Sequence, residues 1–241
     1  MSADSSPGSS PGFSPGFQAY GGWAAAAAIQ QQDLFNEVVG TDSLMVDLNA
    51  RTLTGERGVL SGVSLLGSLS HLDNTWLWGW ANPGFGPDFP AVAATLPIRD
   101  FGNQHGITEF TSDSPDLNGF PDPAQAAITL AITAGWVLGG RGVWSTAINE
   151  GRGHVYLYVA DEQLPRATFD PFATPRLLMT AVSVFPVDHR QVVRGYFQHF
   201  GFEYAESPDA LRGTASDGTV VLTSYDAQGR LDNVSVQPAK S

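Results

Sequence analysis

The chain reads as an α+β fold: a mostly antiparallel sheet, made of a meander and a hairpin, packed with helices and followed by a small C-terminal α-β-β-β unit. Three observations predict it. Trp76, Trp78 and Trp80 recur at every second position inside Thr75-Trp76-Leu77-Trp78-Gly79-Trp80-Ala81-Asn82, which is the period of a strand. Two apolar runs, 143–148 and 154–160, flank Glu150-Gly151-Arg152-Gly153 and read as a hairpin. Asp217-Gly218, set between two further apolar runs, is a two-residue hairpin turn.

The elements follow in order. Residues 1–22 repeat Ser-Pro-Gly; proline and glycine deny the stretch regular structure and it has little to bury. It is expected to be a disordered tail, or else a short linear motif anchored in a partner by Phe13 and Phe17. An Ala-rich helix, 23–39, carries Leu34, Phe35, Val38 and Val39 as its apolar stripe and stops at Gly40. Strands are expected over 44–53 and 59–69. His71-Leu72-Asp73-Asn74 supplies turn chemistry, and the tryptophan strand, 75–82, completes a three-stranded meander. Because both of its faces are apolar, that strand is expected at the centre of a sheet.

Beyond the loop 82–87, Asp88 and Pro90 open a helix that Pro97 kinks or splits. A short strand is expected at 107–111 and a polar loop at 112–122. Asp122-Pro123 opens an uncharged helix closed by Gly139-Gly140. In the strand 154–160, Val155, Leu157 and Val159 face one way and His154, Tyr156 and Tyr158 the other. A helix from Pro175 to Pro186 ends the main domain, 23–186. The C-terminal module, 187–241, opens with a helix capped by Asp188, continues with three or four strands, and turns at Asp217-Gly218 and 226–229.

Bulk properties narrow the function classes. Of 241 residues, 42% are hydrophobic and 11% aromatic, enough for a substantial core, and only 15% are charged, against about 25% in an average domain. The net charge is −12 and Lys240 is the only lysine. Such a surface repels phosphate backbones and anionic membranes, so neither nucleic acid nor a membrane is expected as partner. No cysteine is present, which removes disulfides and thiolate chemistry and suits a reducing, cytoplasmic location. The uncharged stretch 123–140 contains Gln125, Thr129 and Thr133 and reads as a buried core helix rather than a span, which needs about 20 strongly apolar residues.

Motifs that carry chemistry are scarce. There is no P-loop, dinucleotide fingerprint, nucleophile elbow or His-Glu-x-x-His. Ser114-x-Asp116-x-Asn118-Gly119 with Asp122 and Gln125 mimics part of a calcium loop, but position 12 lacks a bidentate carboxylate and prolines interrupt at 115 and 121. No metal or cofactor is expected. The five histidines, 71, 105, 154, 189 and 199, show no metal-site spacing. The residues able to line a ligand site are Trp76, Trp78 and Trp80, with Tyr156 and Tyr158 on a matching aromatic face and His71 and Asp73 at the adjoining turn. Indoles also fill cores, at about 150–250 Å² each, and that is the stronger expectation. Gly79 permits close approach of a helix or a ligand.

The run Leu66-Gly67-Ser68, the block Thr75-Trp76-Leu77-Trp78-Gly79-Trp80-Ala81-Asn82 and the later Ile107-Thr108-Glu109 resemble an uncharacterised bacterial family of unknown function with a Thr-Trp-Leu-Trp-x-Trp-Ala-Asn block. Phe110 stands where leucine is usual. The resemblance spans about residues 44–160 and implies no activity, cofactor or catalytic residue. Three functions are thus expected, in order. The first is a non-enzymatic role through protein contacts, of adaptor, chaperone or immunity type, with the oligomeric state open. The second is small-ligand binding in a Trp/Tyr-lined pocket. The third is an enzyme using an acid/base site among His71, Asp73, Glu109 and His154.

Overall fold

The computed structural model describes residues 12–40, 44–86, 88–185 and 188–239. The predicted α+β class is what it shows: helices packed on three antiparallel sheets. The first helix begins earlier than the sequence predicts. It runs Pro15–Val39 (α1), with Pro15 at its first turn and the Ser14 side chain accepting from the Phe17 N–H. Residues 15–22 are therefore helical rather than a tail, because Phe17, Gly21 and Gly22 are buried; residues 1–11 of the predicted tail lie outside the described residues. Phe17 is not an anchor for a partner but core, and Phe13 stacks on it at 4.2 Å between ring centroids. Gly40 ends α1 at φ 76°, and the Arg57 guanidinium donates to the carbonyls of Glu37 and Val38, satisfying groups a helix end leaves open.

Each of the two predicted early strands is broken. Met45–Asp47 (β1), Thr52–Gly55 (β2) and Gly58–Leu60 (β3) form a small meander of their own. Arg51 at φ 54° and Gly62 at φ 72° make the interruptions, which periodicity does not reveal. Val63–Ser70 (β4) then enters the main sheet beside Trp76–Trp78 (β5). Val143–Ile148 (β6) and Gly153–Val159 (β7) form the predicted hairpin, and the sheet order is β5-β4-β7-β6. The tryptophan strand is thus an edge, not the centre. Its outer backbone is nevertheless covered: the Trp76 and Trp78 N–H groups donate to the carbonyls of Pro115 and Asp113, as an exposed edge requires.

Between these strands, Pro90–Ala93 (α2) and Leu96–His105 (α3) are separated as Pro97 predicts, although Phe89 rather than Asp88 holds the cap position of α2. Thr108–Thr111 (α4) is a helical turn, not a strand. Ile107 and Phe110 are both buried at the three-residue spacing of a helix face. Pro123–Val137 (α5) is capped by Asp122, whose side chain accepts from the Gln125 N–H.

Thr174–Val184 (α6) precedes His189–His199 (α7), capped by Asp188. The C-terminal sheet has four strands: Glu203–Ser207 (β8), Ala210–Thr214 (β9), Val220–Tyr225 (β10) and Leu231–Gln237 (β11). Pro186, the predicted end of α6, lies outside the described residues.

The main sheet separates two cores, following the predicted alternation of β7. Tyr156 and Tyr158 join Trp76, Trp78 and Leu69 on one face. Val63, Leu65, Leu157 and Val159 meet Phe35, Leu53 and Val92 on the other. In a regular strand Leu65 would share a face with Gly67 and Leu69; an irregularity between Leu65 and Gly67 turns it to the opposite side. The first cluster also takes in Val192, Tyr196 and Phe197 of α7 and Leu211 and Val221 of the last sheet; the C-terminal module packs directly on α1 and α6, and His199 of α7 meets Trp136 of α5.

Candidate functional site

The sequence-derived site residues divide into a core and a corner. Register places Trp78, Gly67 and Tyr156 in one row across β5, β4 and β7, and Trp76, Leu69 and His154 in the next. Gly67 leaves room that any side chain would fill: a Cβ there would come within 2.8 Å of the Trp76 ring and 2.5 Å of the Leu77 carbonyl oxygen. Trp76 meets Trp78 edge-on at 5.2 Å and Tyr156 at 5.1 Å. Both indoles are fully buried and both tyrosines almost so; desolvation pushes the Tyr156 phenol up to about 12 and raises that of Tyr158 as well.

Trp80 leaves the strand in a 3-10 turn, 79–81. Its ring still stacks on Trp78, 4.5 Å away and 9° from parallel. Gly79 does permit a close approach, by the chain itself: the Leu65 carbonyl oxygen sits 2.3 Å from where a Cβ would stand. These rings fill the interior. The Trp78 Nε1–H donates to the Glu109 carbonyl at 2.9 Å, whereas the buried Nε1 atoms of Trp76 and Trp80 have no partner.

At the corner, His71 and His154 come together, with His71 Nε2 and His154 Nδ1 2.8 Å apart. Asp73 does not join them. Its carboxylate accepts from the Thr75 hydroxyl at 2.8 Å, and hydrogen bonds from Ser70 and Thr75 hold it below the usual carboxylate range. Glu109 lies elsewhere, accepting from the Ser14 hydroxyl at 2.6 Å and from the Ser14 N–H, at the N-terminus of α1 where a carboxylate is favoured. Of the four acid/base candidates only the histidines meet. The calcium-like loop serves the sheet edge: Ser114 Oγ donates to the Trp76 carbonyl at 2.8 Å, and Asp116 accepts from the Asn118 N–H at 2.9 Å. Among the described residues no group of three or more His, Cys, Asp or Glu side chains is placed to hold a metal ion.

An apolar concavity lies away from the tryptophan comb and the histidine corner. A cleft of about 720 Å³ is bounded by Phe13 of the α1 entry, Phe120, Gln125 and Thr129 of the α5 region, and Val184 and Phe185 at the end of α6. It continues as a narrow cavity of about 160 Å³ over Gly21, Ala24, Ala25 and Ala28 of α1, walled by Ile128 and Ile132. The small α1 residues make the floor deep, and the two isoleucines, one turn apart, stand as a ridge on α5. Ile128 is 39% exposed. Because α5 is apolar on every side, the sequence reads as a wholly buried helix; an exposed apolar stripe on such a helix has no separate signature. Thr129 and Thr133 return their hydroxyls to the carbonyls of Gln125 and Thr129, so these polar walls ask nothing of a ligand.

No curated protein and no solved structure matches the chain. A family match covers residues 18–162, from α1 through the end of β7, and so includes the tryptophan seam, the histidine corner and two of the three walls of the cleft. The chain belongs to that family, a family of unknown function, DUF6882.

Proposed function

We propose that this protein acts non-enzymatically, as an adaptor or chaperone-like binder that holds an apolar helical segment of another protein in the cleft between α1, α5 and α6. The observation that carries the reading is the cleft itself: an apolar concavity walled by helices, with Ile128 standing exposed at its rim. Exposed contiguous apolar surface marks contact sites. The walls offer no free strand edge, so an extended peptide would gain no ladder and leave its own backbone unpaired. A helix satisfies its own backbone and presents an apolar stripe. The net charge of −12 favours a partner with basic residues flanking that stripe. The cysteine-free composition supports a cytoplasmic setting, and no helix among the described residues is long and apolar enough to cross a membrane.

A photo-crosslinking residue placed at Ile128 tests this. Mapped crosslinks should fall on an amphipathic helix of the partner, and a synthetic peptide of that helix should lose at least tenfold in affinity against Ile128→Asp or Val184→Asp. Asn233→Asp, on the far sheet, should bind normally. Equal binding by the cleft variants and the wild type would refute the proposal.

A further inference from the structure

The histidine corner carries a second inference, independent of the cleft. We propose that His71 and His154 form a two-histidine binding site for a divalent transition-metal ion of the Cu²⁺ or Ni²⁺ class, with water completing the coordination. The first support is the separation of 2.8 Å between His71 Nε2 and His154 Nδ1. Two nitrogens bound at about 2.0 Å and at right angles stand about 2.8 Å apart, whereas tetrahedral coordination sets them near 3.3 Å, roughly speaking. Imidazole nitrogen binds Cu²⁺ most strongly of the divalent first-row ions, and both nitrogens lie within reach of one ion once the hydrogen bond between them is replaced.

The second support is how the two rings are held. His154 sits in β7 between Leu69 of β4 and Ala147 of β6. His71 leaves β4 through a turn whose backbone N–H donates to the Arg152 carbonyl at 2.9 Å. The ring planes cross at 82°, so the imidazoles meet through nitrogen rather than by stacking. One ligand is thus on a paired strand and the other on the turn that follows β4. Metal binding replaces the nitrogen–nitrogen hydrogen bond: the shared proton moves to the other nitrogen of its own ring, and both facing lone pairs go to the metal. No electron transfer is involved.

The test uses the full chain without an affinity tag. Titration with Cu²⁺, followed by electron paramagnetic resonance, should show one strong site with two equatorial nitrogens. His71→Gln and His154→Gln should each weaken binding at least tenfold, and His105→Gln, an exposed histidine on α3, should leave it unchanged. Retained affinity in either of the first two variants, or a spectrum with fewer than two nitrogens, overturns the proposal. The nitrogen count is read on the wild type and so decides the question even where a variant fails to fold.

Discussion

Trp76 and Trp78 are equally buried, yet they differ in one hydrogen bond. Trp78 donates to the Glu109 carbonyl, and Trp76 has a buried N–H without a partner. Truncating each to phenylalanine removes a similar volume, but only Trp78→Phe strands a carbonyl. Trp78→Phe should therefore be the more costly of the two by about 1–2 kcal/mol in urea unfolding. Gly67 is the third member of this seam. A Cβ at that position meets a backbone carbonyl as well as the Trp76 ring, and backbone cannot rotate away. Gly67→Ala should destabilise by about 1–3 kcal/mol or more, seen as a lower urea midpoint. The sequence showed the indole comb but not why Gly67 is needed, because the row Trp78–Gly67–Tyr156 joins positions far apart in the chain.

At the scale of elements, caps were legible and edges were not. Asp188 was read from sequence as a helix cap, and its carboxylate accepts from the N–H groups of Arg190 and Gln191. Asp188→Ala should cost about 0.5–2 kcal/mol, measured by thermal or urea unfolding. The hairpin of β6 and β7 and the turn around Asp217-Gly218 were readable because local chemistry dictates them, although that turn closes over three residues, 216–218, rather than two, with Gly218 at φ 86°. The place of β5 at a sheet edge was not readable. The face bearing Trp76 and Trp78 is covered by core and its outer backbone edge is paired by a loop, and only the fold supplies that loop. The contact of α1 with α7 is similarly hidden. A Cβ on Gly195 would come within 1.9 Å of the Trp23 carbonyl oxygen, so Gly195→Ala should push the helices apart and lower the melting temperature by several degrees, at about 4–8 °C per kcal/mol for a small domain and less for a larger one. Gly195 sits in no motif.

For the whole molecule, acid is the informative variable. His199 lies against Trp136, and burial, reinforced by the Arg166 charge, lowers its pKa from 6.5. His189 is lowered by burial and by Arg230 against the opposing pull of Asp188 and Asp226, and its Nδ1 accepts from the Leu231 N–H. Both protonate less readily in the folded than in the unfolded chain, so the unfolded chain takes up protons first as pH falls. Their stabilisation is complete above pH 6.5 and is lost as pH drops through the folded values. Denaturation midpoints should fall between pH 7 and pH 5, and His199→Gln should reduce that slope. A second loss belongs to the carboxylates. Burial alone would raise Asp161, but hydrogen bonds from Ser61 and Gln163 outweigh it and hold it low; Glu206 is held low chiefly by Arg194. Their contribution is present above the unfolded carboxylate range and disappears as pH falls below it.

What the amino-acid sequence determined by itself was whatever depends on neighbours along the chain: the α+β class, the alternation of β7, the helix starts at Asp122 and Asp188, the split at Pro97, and the turns. These follow from short-range sterics and periodicity. Tertiary structure alone decided that residues 15–22 become helix, that the tryptophan strand lies at an edge, that His71 meets His154, and that α1, α5 and α6 leave a cleft between them. Each of those outcomes depends on burial against residues tens to hundreds of positions away, and burial is a property of the packed chain that no local window contains.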